Sequence, residues 1–250
     1  MKKFTLTLMF LFICATFTIK SQTVDEIISK SFAARGGIEK IKSVQTQRMT
    51  GKILFGSGSA NPFVVSFGRP GKIREEIVMN GKEIIEINNS KEGWVINHLS
   101  GDGSPRQMTD DERKNTASSA DFDGPLVDYK ERGNQIELEG IENVNGKPAY
   151  KLLVKQKNGQ TRYDFIDSVT YIEVEWAGSV INNGEENQME SFFKDYKNVD
   201  GILYPFEIDS ETPGGTNKQN IVFEKIEINP VLDESTFDKP ESIPADSTKH

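Results

Sequence analysis

The sequence predicts a mainly antiparallel α+β protein, one large sheet of about eleven strands with little helix to lie on it. Three observations carry that prediction. Apolar residues alternate at period two through most of the chain after Gln45, as strands with one covered face require. Asn-Gly or Asp-Gly pairs separate many of these runs, at Asn80-Gly81, Asn145-Gly146, Asn158-Gly159 and Asp200-Gly201, and such pairs are the strongest short-range hairpin signal. Helical spacing is confined to the start of the chain and to one insert, so the helix–strand alternation of a parallel sheet is missing.

In chain order, Lys2 and Lys3 precede an uncharged, largely apolar run from Phe4 to Ile19. This is the pattern of a secretory signal, and it is short for a membrane span. Cleavage is expected near Ser21-Gln22, giving a signal at 1–21. Cys14, the only cysteine, is preceded by Ile13 where a lipoprotein signal needs a small residue, so it is expected to leave with the signal. The mature chain then has neither disulfide nor thiolate metal site. Thr23-Val-Asp-Glu26 is a capping box, followed by Val24, Ile27, Ile28 and Phe32 at helical spacing and ended by Gly36-Gly37. An amphipathic helix this short needs a sheet to rest on.

From Val44 a meander is predicted. Its alternating rows are Met49, Gly51, Ile53 and Phe55; Phe63, Val65 and Phe67; Ile73, Glu75, Ile77 and Met79; Ile85 and Ile87; and Trp94 and Ile96. The polar stretch from Gly101 to Asp123 interrupts it. A second capping box, Thr109-Asp-Asp-Glu112, opens a poor helix there, and Phe122, Leu126, Val127 and Tyr129 follow as apolar anchors. A long insert in mid-sheet is either disordered or a lid, and the anchors favour a lid spanning Gly101 to Tyr129. The meander resumes with Ile136 and Leu138; Tyr150, Leu152 and Val154; Tyr163 and Phe165; and Ile172, Val174 and Trp176. A polar loop is expected at Ile181 to Asn187. A hairpin then turns at Asp200-Gly201, with Phe192 and Tyr196 in a row before the turn and Ile202, Tyr204, Phe206 and Ile208 after it. Ile221 to Ile228 is the last strand. The expected division is one domain over 22–237 and a flexible polar tail over 238–250.

The formal charge is −8, and loss of the lysine-bearing signal takes it to −11. That argues against nucleic acid and against charge-driven docking on an anionic membrane. Catalytic signals are thin. His98 stands near a strand end, with no Gly-x-Ser-x-Gly elbow to serve it. Asp121 and Asp123 form a D-x-D pair that could hold a hard cation or perform acid–base work on sugars, although loop solvation is the simpler role. Glu173, Glu175, Arg162 and Lys151 read most simply as the solvated outer face of the sheet. No metal cluster, phosphate loop or nucleotide fingerprint is present. Neither a cofactor nor a catalytic centre is expected.

Three stretches carry a resemblance. They are the helix ending Ala34-Arg-Gly-Gly37 with Ile41-Lys-Ser-Val44 after it, Gly140-Ile-Glu-Asn-Val-Asn-Gly146 followed by Ala149-Tyr-Lys-Leu-Leu-Val154, and Asp195-Tyr-Lys-Asn-Val-Asp-Gly-Ile-Leu-Tyr-Pro205. Over nearly its whole mature length the chain resembles the outer-membrane lipoprotein-sorting superfamily, the LolA/LolB-like fold. The resemblance implies a periplasmic protein built as an unclosed half-barrel whose apolar concave face is covered by helices and holds lipid or lipoprotein acyl chains. An inner- or outer-membrane protein is a further candidate partner. A half-barrel cannot fill its own concave face, and each buried CH₂ contributes about 0.8 kcal/mol. The candidate lining residues on the later apolar rows are Tyr150, Leu152, Trp176, Phe192, Tyr196, Tyr204 and Phe206. Three readings stay open: a carrier or sensor of an acyl-chain ligand, a regulatory or scaffold module whose groove takes a protein segment, and, on thinner grounds, a hydrolase using Asp121 and Asp123. Each lining residue could also be ordinary core under the helices.

Overall fold

The structure, a computed structural model, describes residues 22–101, 103–182, 184–214 and 218–241. The expected signal segment and most of the expected tail lie outside them. Among the described residues thirteen antiparallel strands form one sheet in the order β6-β5-β4-β3-β2-β1-β13-β12-β11-β10-β9-β8-β7. The first half is a meander of β1 (Thr46–Phe55), β2 (Asn61–Gly68), β3 (Lys72–Met79), β4 (Lys82–Asn88), β5 (Gly93–Asn97) and the two-residue β6 (Arg106–Gln107). The second half contains β7 (Gln135–Val144), β8 (Lys147–Lys155), β9 (Thr161–Asp167), β10 (Glu173–Asn182), β11 (Glu185–Val199), β12 (Ile202–Glu211) and β13 (Lys218–Ile228). The last strand closes back on the first, with Met49 opposite Ile226. The two edge strands, β6 and β7, remain unpaired with each other, so the barrel stays open.

The count exceeds the expected eleven in part because β6 sits inside the polar insert, which shows no alternation. The residues expected as a loop at Ile181–Asn187 mostly extend β10 and β11 instead, with Ile181 opposite Glu186. The hairpin chemistry follows the sequence. Both central residues have positive φ at Asn80-Gly81, Asn145-Gly146 and Asp200-Gly201, the type I′ geometry whose twist matches the flanking strands.

Helices cover the inner face of the sheet. Helix α1 (Val24–Arg35) begins with the predicted capping box, both reciprocal bonds formed. It places Ile27 and Ile28 against Leu152, Val154 and Ile166. Its C-cap Gly36 has φ 121°, and a Cβ there would stand 2.1 Å from the Gly201 carbonyl oxygen. The helix end and the β11–β12 turn therefore touch backbone to backbone. The short α2 (Ile38–Ser43) adds Ile41, and with Val44 it joins the main core formed by Phe63, Val65, Phe67, Ile202, Tyr204, Phe206, Phe223 and Ile226. A smaller core lies on the outer face, where Ile85, Ile87 and Ile96 pack under Phe237 of the 3-10 turn Glu234–Phe237.

The insert connects one open edge to the other. Its helix α3 (Asp110–Ser119) forms the predicted second capping box. Asn88 Nδ2 of β4 donates to the Arg113 carbonyl at 3.1 Å, and Asn115 Nδ2 donates to the Ile181 carbonyl of β10 at 2.7 Å. The helix is thus tied to both halves of the sheet across its mouth.

Candidate functional site

Inside the half-barrel, between α3, the end of α1 and the sheet, lies a cavity of about 360 Å³. A neighbouring space of about 250 Å³ shares Phe63, Glu75 and Ile221 with it and leads past Phe55 and Gln219. The two together are of the size used for small ligands. Strand alternation supplies the apolar wall. Met49, Phe63, Val65 and Phe67 come from β1 and β2, Ile208 from β12, and Ile221 and Phe223 from β13. Met49 pairs with both Val65 and Ile226, so these side chains share the inner face.

The insert forms the roof. Asp123 accepts a bidentate pair from Arg69 Nη1 and Nη2 at 2.5 and 2.7 Å, while Arg69 Nε donates to the Val44 carbonyl at 2.6 Å. Phe122 lies between the Phe67 ring, 5.5 Å away, and the Arg69 guanidinium, 4.9 Å away. Asp121 accepts from Arg132 Nη2 at 2.5 Å. The D-x-D pair is therefore engaged in two ion pairs that hold the roof down.

The cavity also has a polar end. Arg162 pairs with the fully buried Asp164, Nε to Oδ1 at 2.7 Å, and lies 3.9 Å from Glu173 Oε1. Burial pushes the Glu173 carboxyl up to about 7, assisted by Asp164 and opposed by Arg162 and Arg35. Glu75, on the opposite wall, is also raised to about 7 by burial and by the Glu86 carboxylate beside it. Tyr196 donates to the Glu173 carbonyl at 2.8 Å, and burial raises its hydroxyl strongly. Burial pushes the Tyr204 hydroxyl up to about 12. Gln47 is 1% exposed, and its Nε2 has no hydrogen-bond partner.

Of the candidate lining residues, Trp176, Tyr196 and Tyr204 meet in this cavity. Tyr150 and Leu152 are on the inner face but pack under α1 with Ile27 and Ile28. Phe206 is inner-face core, 8% exposed, with Lys197 Nζ 4.5 Å from its ring centre. Phe192 departs from the expected row and packs on the outer face with Val174, Ala177 and Phe165. The cause is Asp195, whose φ of 50° breaks the alternation between Phe192 and Tyr196.

Two charged residues expected on the outer face are inside. Glu173 and Glu175 would share a face in a regular strand, but a bulge at Val174 pairs Glu173 with Ile166 and Glu175 with Phe165. Glu173 therefore points inward and Glu175 outward. On β9 the aromatic row Tyr163 and Phe165 faces out, under Lys151 Nζ at 4.3 Å and 5.9 Å, and the row Arg162, Asp164 and Ile166 faces in. Lys151 and Glu175 are on the outer face as expected, although Glu175 is buried there. Arg35, Gln47 and Glu75 were not among the candidates. For Gln47 and Glu75 a polar residue at an apolar position of an inward row was the one signal, as with Gln47 before Met49; Arg35, at the end of α1, gave none. His98 is 8% exposed at the end of β5, with its Nδ1 3.1 Å from the Glu83 carbonyl.

The open antiparallel half-barrel, its inner groove roofed by a helical insert, is a LolA-like fold. A LolA superfamily protein from Nitrosomonas europaea is similar with a TM-score of 0.58 at 12% identity, over 86% of this chain and 98% of that one. An outer membrane lipoprotein-sorting protein domain from Vibrio parahaemolyticus gives 0.55 at 12% identity, over 86% and 95%. A DUF1329 family protein from Desulfovibrio piger gives 0.55 at 14% identity, over 84% and 97%. No family model and no curated protein matches the chain.

Proposed function

We propose that this protein is an exported, periplasmic carrier or sensor that holds an acyl chain in the inner groove. The observation that carries the proposal is the cavity beneath the α3 roof, apolar along its β1, β2, β12 and β13 wall and polar at its β9–β10 end. Its wall comes from Phe63, Val65, Ile208, Ile221 and Phe223, and it continues toward Phe55 at the rim. An alkyl chain entering it loses about 0.8 kcal/mol per CH₂ of unfavourable hydration. The fold shared with lipoprotein-sorting proteins supports the same reading. The secretory pattern of the first residues supports export. The inward acids are explained as polar relief within the groove, with Asp164 paired to Arg162.

The test is native mass spectrometry of protein purified without detergent, followed by solvent extraction. A bound mass in the lipid range is expected, and it should be lost in Ile208→Glu, which places a charge on the half-buried apolar wall. A clean apo mass that also takes up no added fatty acid would contradict the proposal. A co-purifying peptide in place of a lipid would favour the scaffold alternative.

A further inference from the structure

The polar end of the cavity indicates which head group the chain would carry, an argument that rests on the acyl-groove reading above. Arg35, the last residue of α1, lines this end, and among the described residues no carboxylate lies within ion-pairing distance of its guanidinium. The neighbouring guanidiniums are committed: Arg162 to Asp164, Arg69 to Asp123 and Arg132 to Asp121. The field of Arg35 nonetheless reaches inward, opposing the effect of burial at Glu173, Tyr196 and Tyr204.

Gln47 provides the second, independent observation. Its side chain lines the same cavity, and its buried Nε2 makes no hydrogen bond of ordinary geometry, its interaction with the Tyr204 hydroxyl being a minor one. Buried donors are nearly always satisfied, so an orphan facing an unfilled space marks a place for a ligand acceptor. The acids nearby leave the Arg35 charge largely uncancelled. Asp123 and Asp164 are paired, and Glu173, raised to about 7 by burial, is mostly neutral in mildly acidic solution.

We propose that this end of the groove binds the carboxylate of a single-chain amphiphile, a long-chain fatty acid. Arg35 and Gln47 Nε2 are its donors, and the alkyl chain lies along Val65, Ile221 and Phe223 toward Phe55. A guanidinium matches a carboxylate in charge and geometry, and the neutral amide donor adds direction. An alcohol of the same chain length would keep the tail contacts and lose the ion pair with Arg35.

The experiment is calorimetric titration of the whole mature protein at pH 6.5 with dodecanoate, dodecanol and dodecyltrimethylammonium, each below its micelle concentration. Dodecanoate is expected to bind about ten-fold or more tightly than dodecanol, as charge-assisted hydrogen bonds allow. In Arg35→Met the two should bind within about two-fold of each other, dodecanoate losing most of its advantage and dodecanol far less affinity. Among the described residues Arg35 has no ion-pair partner to orphan, and thermal melting reports whether the variant is folded. Gln47→Leu should lower dodecanoate affinity more than dodecanol affinity. Equal affinities in the wild type, a preference for the ammonium, or a carboxylate preference that survives Arg35→Met would each overturn the head-group assignment while leaving the groove reading intact. Failure of all three probes to bind would overturn the groove reading and this inference with it.

Discussion

Glu173 and Glu75 make the groove sensitive to pH through their burial. Each has a folded-state pKa near 7, against an ordinary value of 4.5. Between those values the folded protein binds more protons than the unfolded chain, so their contribution to stability falls as pH rises from about 4.5 through 7. A shift of this size corresponds at most to about 3 kcal/mol per group, and solvent at the partly exposed side chains reduces it. Glu173→Gln should therefore gain stability relative to the wild type at pH 8 and show little difference at pH 4.5. Urea denaturation at both pH values checks this, and a difference independent of pH would contradict it. The sequence concealed Glu173 because strict alternation groups it with Glu175, and only the bulge at Val174 separates them. Asp195 hides Phe192 in the same way. Single-residue breaks in strand geometry leave little trace in a hydrophobic pattern. Gly36, in contrast, was legible as a helix stop. Gly36→Ala would combine positive φ with a Cβ 2.1 Å from the Gly201 oxygen, and a loss of about 2 kcal/mol or more in denaturant unfolding is expected.

At the scale of elements, the roof is the part whose stability can be tuned. Helix α3 has a largely polar sequence with only Thr116 buried, so it is held mainly by polar contacts to the sheet and by the Phe122 anchor rather than by a core of its own. Arg69 ties that anchor down through Asp123 and the Val44 carbonyl. Arg69→Met should raise amide hydrogen exchange across residues 109–124 by about ten-fold, the effect of losing one partly buried charge pair, and should leave β12 and β13 protected. Exchange that rises equally throughout the sheet would show that Arg69 supports the whole fold instead. The capping box Thr109–Glu112 and the aromatic anchors made an ordered, anchored insert legible in the sequence. Its docking across β4 and β10 was not, because Asn88 and Asn115 are ordinary polar residues until the fold brings them opposite backbone carbonyls.

At the scale of the molecule, the sheet was legible almost throughout. Asn-Gly and Asp-Gly turns and period-two rows are local signals, and the hydrophobic effect uses them directly. Which face of each strand is inside depends on long-range pairing. For β9 the more aromatic row faces outward beneath Lys151, and the charged row faces the cavity. The groove itself follows from the open edge between β6 and β7, which prevents the sheet from filling its own interior. The central claim is that an acyl chain occupies this interior. The chain has two tryptophans, Trp176 in the cavity wall and Trp94 on the opposite face of the sheet, with Lys239 Nζ 4.6 Å from its ring centre. The most direct measurement is fluorescence quenching by a bromine-labelled fatty acid in Trp94→Phe and Trp176→Phe variants. Saturable quenching is predicted in Trp94→Phe, where Trp176 alone reports, with little in Trp176→Phe. Quenching that is equal in the two variants, or confined to Trp94, would contradict a ligand in the groove.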